Sequence, residues 1–333
     1  MLEVTLSCFS GFHCIADACP DTCCAGWEVD LDDSVLPLYR SLPGPLGQEL
    51  RDALRQEDGY TFFAMKDDRC PFLNDRGLCR LILTLGDSAL SVTCREHPRF
   101  WEEYGNRRET CLSISCPEAA RLLLTEPLRL ECRETGEAAQ PDPELDSALL
   151  ELLLLCREGL MALAVSPLPL EAKLALCLDA AKNGLALPEG PVQWSDFWSR
   201  QQVPPLSMDV PGFLTAMEAM EFTRPQLQQR LPQAKAAWSP ELLAAPELQE
   251  GCGRLLYYFL YRYLLRGVWS GLVAEKIQLA VYSTAAIAAL SQAVPGKTPE
   301  QKLLGAAVDY SREVEHSPEN LELLYEHLCI APL

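Results

Sequence analysis

The chain is 333 residues long and carries 28 Lys and Arg against 47 Asp and Glu, a formal net charge of -19. That excess of acid excludes a nucleic-acid-binding surface, because neutralising phosphates needs clustered Lys and Arg. A hydrophobic share of 48% over this length suffices for one large domain or two.

The opening residues, MLEVTLSCFSGFHC, lack a basic segment followed by a long apolar one and do not read as a secretory signal. A cytoplasmic location is expected. Apolar runs such as Leu149 to Leu155 and Leu279 to Leu290 fall short of the roughly 20 residues of a membrane helix, so no membrane association is expected. In a reducing compartment, fifteen cysteines read as metal ligands or redox groups rather than disulfides.

Residues 1–135 are rich in Cys, Gly, Pro and Asp, with short apolar runs broken by turn signals. They predict a loop-rich, cysteine-rich metal-binding region with short helices at Pro45–Glu57 and Pro117–Leu124. The first block, FHCIADACPDTCCAGW, supplies Cys14, Cys19, Cys23 and Cys24. Thiolates bind soft metals strongly, and closely spaced loop cysteines can converge on one ion or cluster. Adjacent Cys23 and Cys24 are expected to face different ways. RCPFLNDRGLC adds Cys70 and Cys79, VTCREHPRFW adds Cys94, and SISCPEAARLLL adds Cys116. These eight are enough for two four-thiolate sites, or for one with cysteines in reserve. Cys8, Cys111, Cys132, Cys156, Cys177, Cys252 and Cys329 are isolated or follow apolar patterns and read as structural.

Other groups in these blocks can carry chemistry. His97 reads as a ligand, a base or a partner of a backbone carbonyl. Arg99 and Arg121 can clamp a carboxylate. Asp21 and Glu118 stand beside cysteines, either as proton acceptors that place a lysine or as helix caps. His316 and His327 lie in a C-terminal helical pattern and are expected at the surface.

The polar segment GEAAQPDPELD, 136–146, marks a junction. From 145 to 333 the chain turns leucine- and alanine-rich and predicts a helical domain. Its candidate helices are Leu149–Leu163, Glu171–Lys182, Gly212–Phe222, Cys252–Arg266, Val273–Leu290 and Thr298–Val314. The fold class expected is mainly α.

The motifs CPDTCCAGW, CPFLNDRGLC, LSVTCREHPRF and SISCPEAARLLL occur in that order. In them the chain resembles the flagellin lysine-N-methylase family, related to a broader cysteine-rich zinc- or iron-chelating family. The resemblance spans about residues 9 to 125. It implies methyl transfer from S-adenosylmethionine to a lysine of a protein substrate such as flagellin, dependent on a [4Fe-4S] cluster. Asp21, Glu118 and His97 are then the candidate catalytic residues, and Arg99 and Arg121 the candidate cosubstrate contacts. No G-x-G-x-x-G follows a strand pattern, so the dinucleotide-type fold is not signalled. The spacing of Cys14, Cys19 and Cys23 departs from the three-cysteine motif of radical clusters. A polar transfer would instead need a deprotonated lysine. A zinc-binding module without catalysis and an electron-transfer protein are the alternatives.

Overall fold

A computed structural model describes residues 1–138, 142–185, 187 and 190–330. Positions 139–141 of the predicted junction lie outside the described residues. The chain opens with an alternation, Leu2-Glu3-Val4-Thr5-Leu6, and the alternation becomes strand β1 (Leu2–Leu6) with Val4 and Leu6 fully buried. There follow α1 (Leu36–Ser41), α2 (Gly44–Ala53) and the hairpin of β2 (Leu54–Glu57) with β3 (Tyr60–Phe63). Next come α3 (Arg80–Leu85), α4 (Val92–Glu96), β4 (Arg99–Tyr104), β5 (Arg107–Leu112), α5 (Pro117–Thr125) and β6 (Leu130–Glu134). Four of the strands form a mixed sheet in the order β4-β5-β1-β6, with β1 parallel to β5 and antiparallel to β6.

The rest of the described chain is helical: α6 (Ser147–Ala164), α7 (Leu170–Asn183), α8 (Trp194–Ser199), α9 (Val210–Met217), α10 (Pro225–Ala237), α11 (Pro246–Tyr263), α12 (Gly267–Ser270), α13 (Val273–Ser291), α14 (Pro299–Val314) and α15 (Pro318–Ile330). The protein is mainly α. At the centre stands α13, buried at every residue from Lys276 to Ser291 and packed against α7, α10, α11 and α14. It is the one helix among the described residues long and apolar enough to cross a membrane, and 83% of that span is buried inside the fold. An apolar helix covered on all sides by other helices serves as a core element.

The sheet joins this helical core. Val4, Leu6, Cys111 and Leu112 pack in one cluster with Leu255, Phe259 and the apolar face of α5. The Tyr261 hydroxyl of α11 lies 3.0 Å from the carbonyls of both Val4 and Thr110, and Arg157 of α6 pairs with Glu109 of β5 at 2.8 Å. The cysteine-bearing loops wrap a second, much smaller core of Leu31, Leu36, Tyr39, Leu50, Phe63, Phe72 and neighbours, against which Cys70 and Cys79 pack. A core that small contributes little stability of its own, so the loops depend on contacts to the helical body.

Candidate functional site

The first cysteine loop is laid against the second by backbone hydrogen bonds. The Gly26 amide donates to the Asp68 carbonyl at 3.0 Å and the Cys70 amide to the Cys24 carbonyl at 2.8 Å. Gly26 has a φ of +86°, and a Cβ there would stand 2.7 Å from Nε of Arg224. That glycine is what admits the arginine. Arg224, the residue before α10, donates to Asp21 Oδ1 at 2.7 Å and to the carbonyls of Thr22 and Ala25 at 2.9 and 2.8 Å. Arg312 of α14 holds the other Asp21 oxygen at 2.5 Å. Burial pushes the Asp21 carboxyl up, but Arg312, Arg224 and the Thr22 amide together bring it below the ordinary carboxylate range.

Pinned in this way, the loop closes one side of a cavity of about 340 Å³. Cys14, Cys19, Cys23, Cys24, Cys79 and Cys116 line it, with Trp27, His97, Arg312 and His316. Cys23 and Cys24 both face this space, contrary to the expectation for adjacent residues, and their thiols interact. Cys70 and Cys94 do not line the space, but each lies close enough to Cys79 and Cys23 for those thiols to disfavour its thiolate. Two neighbourhoods result: Cys14, Cys19 and Cys116 on one side, and Cys70, Cys79 and Cys94 on the other. The Cys23–Cys24 pair stands at their junction.

Burial, with the neighbouring thiols, pushes Cys70 up to about 11. Burial does the same to Cys116, although the Ala119 and Glu118 amides at the start of α5 oppose it, and Cys19 and Cys23 add to the rise. A crowd of thiols that disfavours its own ionisation suits a cation or cluster bound among them, whose charge reverses that penalty. The donor chemistry therefore fits a soft metal centre. Among the described residues no three His, Cys, Asp or Glu side chains are drawn together closely enough to hold a single ion. The thiols ring a space instead of meeting at a point.

Two imidazoles share that space. Burial, then the Arg312 guanidinium, pushes His97 down to about 4. Burial, then His97, Arg262 and Arg312, does the same to His316. Both rings are neutral near pH 7. His316 opens onto the cavity, and its Nε2 lies 2.9 Å from the Ser115 hydroxyl and 3.0 Å from that of Ser113. It stands within 5.9 Å of His97 and 5.7 Å of Trp27, centroid to centroid. The ring nitrogens of His97 have no hydrogen-bond partner among the described residues.

The remaining predicted residues lie elsewhere. Arg121 and Glu118 pair with each other along α5 at 2.8 Å and do not line the cavity. Arg99 lies over the Phe12 ring at 5.1 Å and faces an adjoining groove that shares Trp27, His97 and His316 with the cavity. The guanidinium on the cavity wall is that of Arg312, which nothing local in the sequence distinguished. His316 was likewise hidden. Its position at the surface is a position on the cavity, because the α14–α15 corner folds back onto the Ser113–Cys116 turn.

No family model matches the chain, and no solved structure matches it. Over 123 residues, 35% of its length, the chain is 32% identical to "Flagellar biosynthetic protein FliU" of Salmonella muenchen and covers 73% of that protein. With the same identity over 123 residues it is similar to proteins named "Lysine-N-methylase" in Salmonella typhimurium and Salmonella choleraesuis, and it covers 31% of each.

Proposed function

Because this chain belongs to the flagellin lysine-N-methylase family, we propose that it methylates lysine side chains of a protein substrate, flagellin or a similar protein, with the cysteine-lined cavity as the reaction centre. The observation that carries this reading is the meeting of six cysteines from three of the four sequence blocks around one space that also holds His97, His316 and Trp27, with Cys94 of the remaining block close to Cys79 and Cys23.

Cys14, Cys19, Cys23 and Cys116 are the candidate holders of a [4Fe-4S] cluster, with Cys24, Cys70, Cys79 and Cys94 as a second set. Held by three of the first four thiolates, such a cluster would supply an open iron position for the amino and carboxyl groups of S-adenosylmethionine. The chain's own residues do the rest. The burial that keeps both imidazoles neutral also disfavours a lysine ammonium beside them, and the Arg312 guanidinium adds to this. Next to Arg312 and the two imidazoles, the free amine of an entering lysine, the form that has a lone pair to donate, is favoured over its ammonium. His97, neutral and with its ring nitrogens unpartnered, is placed to accept a hydrogen bond from the amine and so orient its lone pair. Asp21 serves as the anchor that Arg224 and Arg312 grip, which fixes Cys19 and Cys23 on the wall. The net charge of -19 favours approach of a lysine-rich partner.

The test is to reconstitute the protein anaerobically with iron and sulfide, add methyl-labelled S-adenosylmethionine and flagellin, and search flagellin for labelled lysine by mass spectrometry. Labelled lysine, lost in Cys19→Ser, is expected. Fully loaded protein that neither binds the cosubstrate nor transfers label would overturn the proposal in favour of a zinc module.

A further inference from the structure

A second cavity, of about 740 Å³, lies past the far end of α5 from Cys116, between the α6–α7 connection and the start of α11. Most of its wall is apolar, including Leu128, Val165, Leu168 and Ala244. Its polar members are almost all committed. Gln249 donates to the Leu243 and Ala245 carbonyls and accepts from the Leu170 amide, while Arg254 is spent on Glu250 and on the carbonyls of Leu123 and Glu126.

Lys173 is the exception. It lines the cavity, is only 5% exposed, and has no hydrogen-bond or ion-pair partner among the described residues. Its Nζ lies 3.3 Å from where a Cβ at Gly253 would stand, so the missing side chain at 253 makes room for it. The Ala164 carbonyl at the end of α6 reaches the same spot, 2.6 Å from that Cβ position, without bonding the ammonium. Burial lowers the Lys173 pKa, the response of a cation whose counter-charge is missing. Lys173 sits in the first turns of α7, a 14-residue helix whose cap, Pro169, supplies no side-chain bond, so the positive end of that helix adds to the charge.

A buried ammonium with three uncommitted donors, beside apolar wall and among polar side chains already engaged with one another or with the backbone, calls for an anion attached to an apolar body. We propose that this cavity is a binding site for a small organic carboxylate, its carboxylate on Lys173 and its hydrocarbon part against Leu128, Val165 and Leu168. The site is independent of the cysteine cavity and of the activity proposed for it.

Isothermal titration of the full-length protein tests this with sodium octanoate as the probe, n-octanol as its uncharged counterpart and inorganic phosphate as an anion without a body. Octanoate should bind, and the other two should not compete with it. Lys173→Met should weaken octanoate binding by about tenfold or more, and Lys173→Arg should retain it. Ala244→Trp, at the exposed rim, should block entry without touching the ammonium, which keeps the test decisive if Lys173→Met does not fold. Failure of the parent protein to bind octanoate, or binding undiminished by Lys173→Met or by Ala244→Trp, would overturn the proposal.

Discussion

The guanidinium of Arg224 grips the carboxylate of Asp21 at 2.7 Å across 203 positions of sequence, and through it the helical body holds the first cysteine loop in place. Both side chains are less than a quarter exposed, at 13% and 24%. Arg224→Ala should cost about 1.5–3 kcal/mol, the range for a charged hydrogen bond removed from a partly buried partner. It should also expose residues 13–30 to limited proteolysis while α13 keeps its amide protection. Equal loss of protection in both regions would mean that the contact is not local to the loop.

Gly26 depends on the same arginine. At a φ of +86° with Arg224 in the way of any Cβ, Gly26→Ala combines backbone strain with displacement of the clamp. A loss of ~1–3 kcal/mol is expected. Gly59→Ala has open space at its Cβ and should show only the strain part. Denaturant unfolding of the two variants measures the difference.

His97 and His316 predict how stability depends on pH. Each binds a proton in the unfolded chain near the ordinary 6.5 but in the folded protein only near 4. Between those values the unfolded state holds more protons, so stability falls as pH drops through that window and is unaffected above it. A second loss, from the depressed Asp21 carboxyl, follows below about 3.8. Melting temperature against pH should slope less steeply from 6.5 to 4 in the double variant His97→Gln, His316→Gln. An unchanged slope would place the titrating groups elsewhere.

The two classes of cysteine should separate by substitution. Cys177 is fully buried in the helical core and does not line the cysteine cavity, and Cys177→Ala should cost ~1 kcal/mol in packing and leave metal content alone. Cys23 stands where the two thiol neighbourhoods meet, and Cys23→Ser should lower metal content and melting temperature together. Metal analysis and thermal melts on the same preparations decide between ligand and packing roles.

The helices were legible wherever apolar residues recur with helical period. Leu149–Leu163, Glu171–Lys182 and Val273–Leu290 grow by only a few residues into α6, α7 and α13. Gly212–Phe222 ends early, with α9 stopping at Met217. The glutamine-rich α10, with Pro232 inside it, carries breaker signals and so gave no helical pattern. The mixed sheet was not anticipated. Leu2–Leu6 alternates visibly, but its partners β5 and β6 lie over a hundred residues away, and pairing at that distance leaves no local trace. The cysteines announced themselves by density. Arg224, Arg312 and His316 could not, because each acquires its place by the folding of the helical body onto loops some 200 residues earlier.

The most direct measurement is the content of iron, acid-labile sulfide and zinc in protein purified without oxygen, alongside its visible absorption spectrum. Iron and sulfide in equal amounts with a visible absorption band are expected, with loss of both in Cys19→Ser and Cys116→Ser but not in Cys177→Ala. Zinc without sulfide, or iron retained at full level in the Cys19 and Cys116 variants, would contradict the cluster assignment.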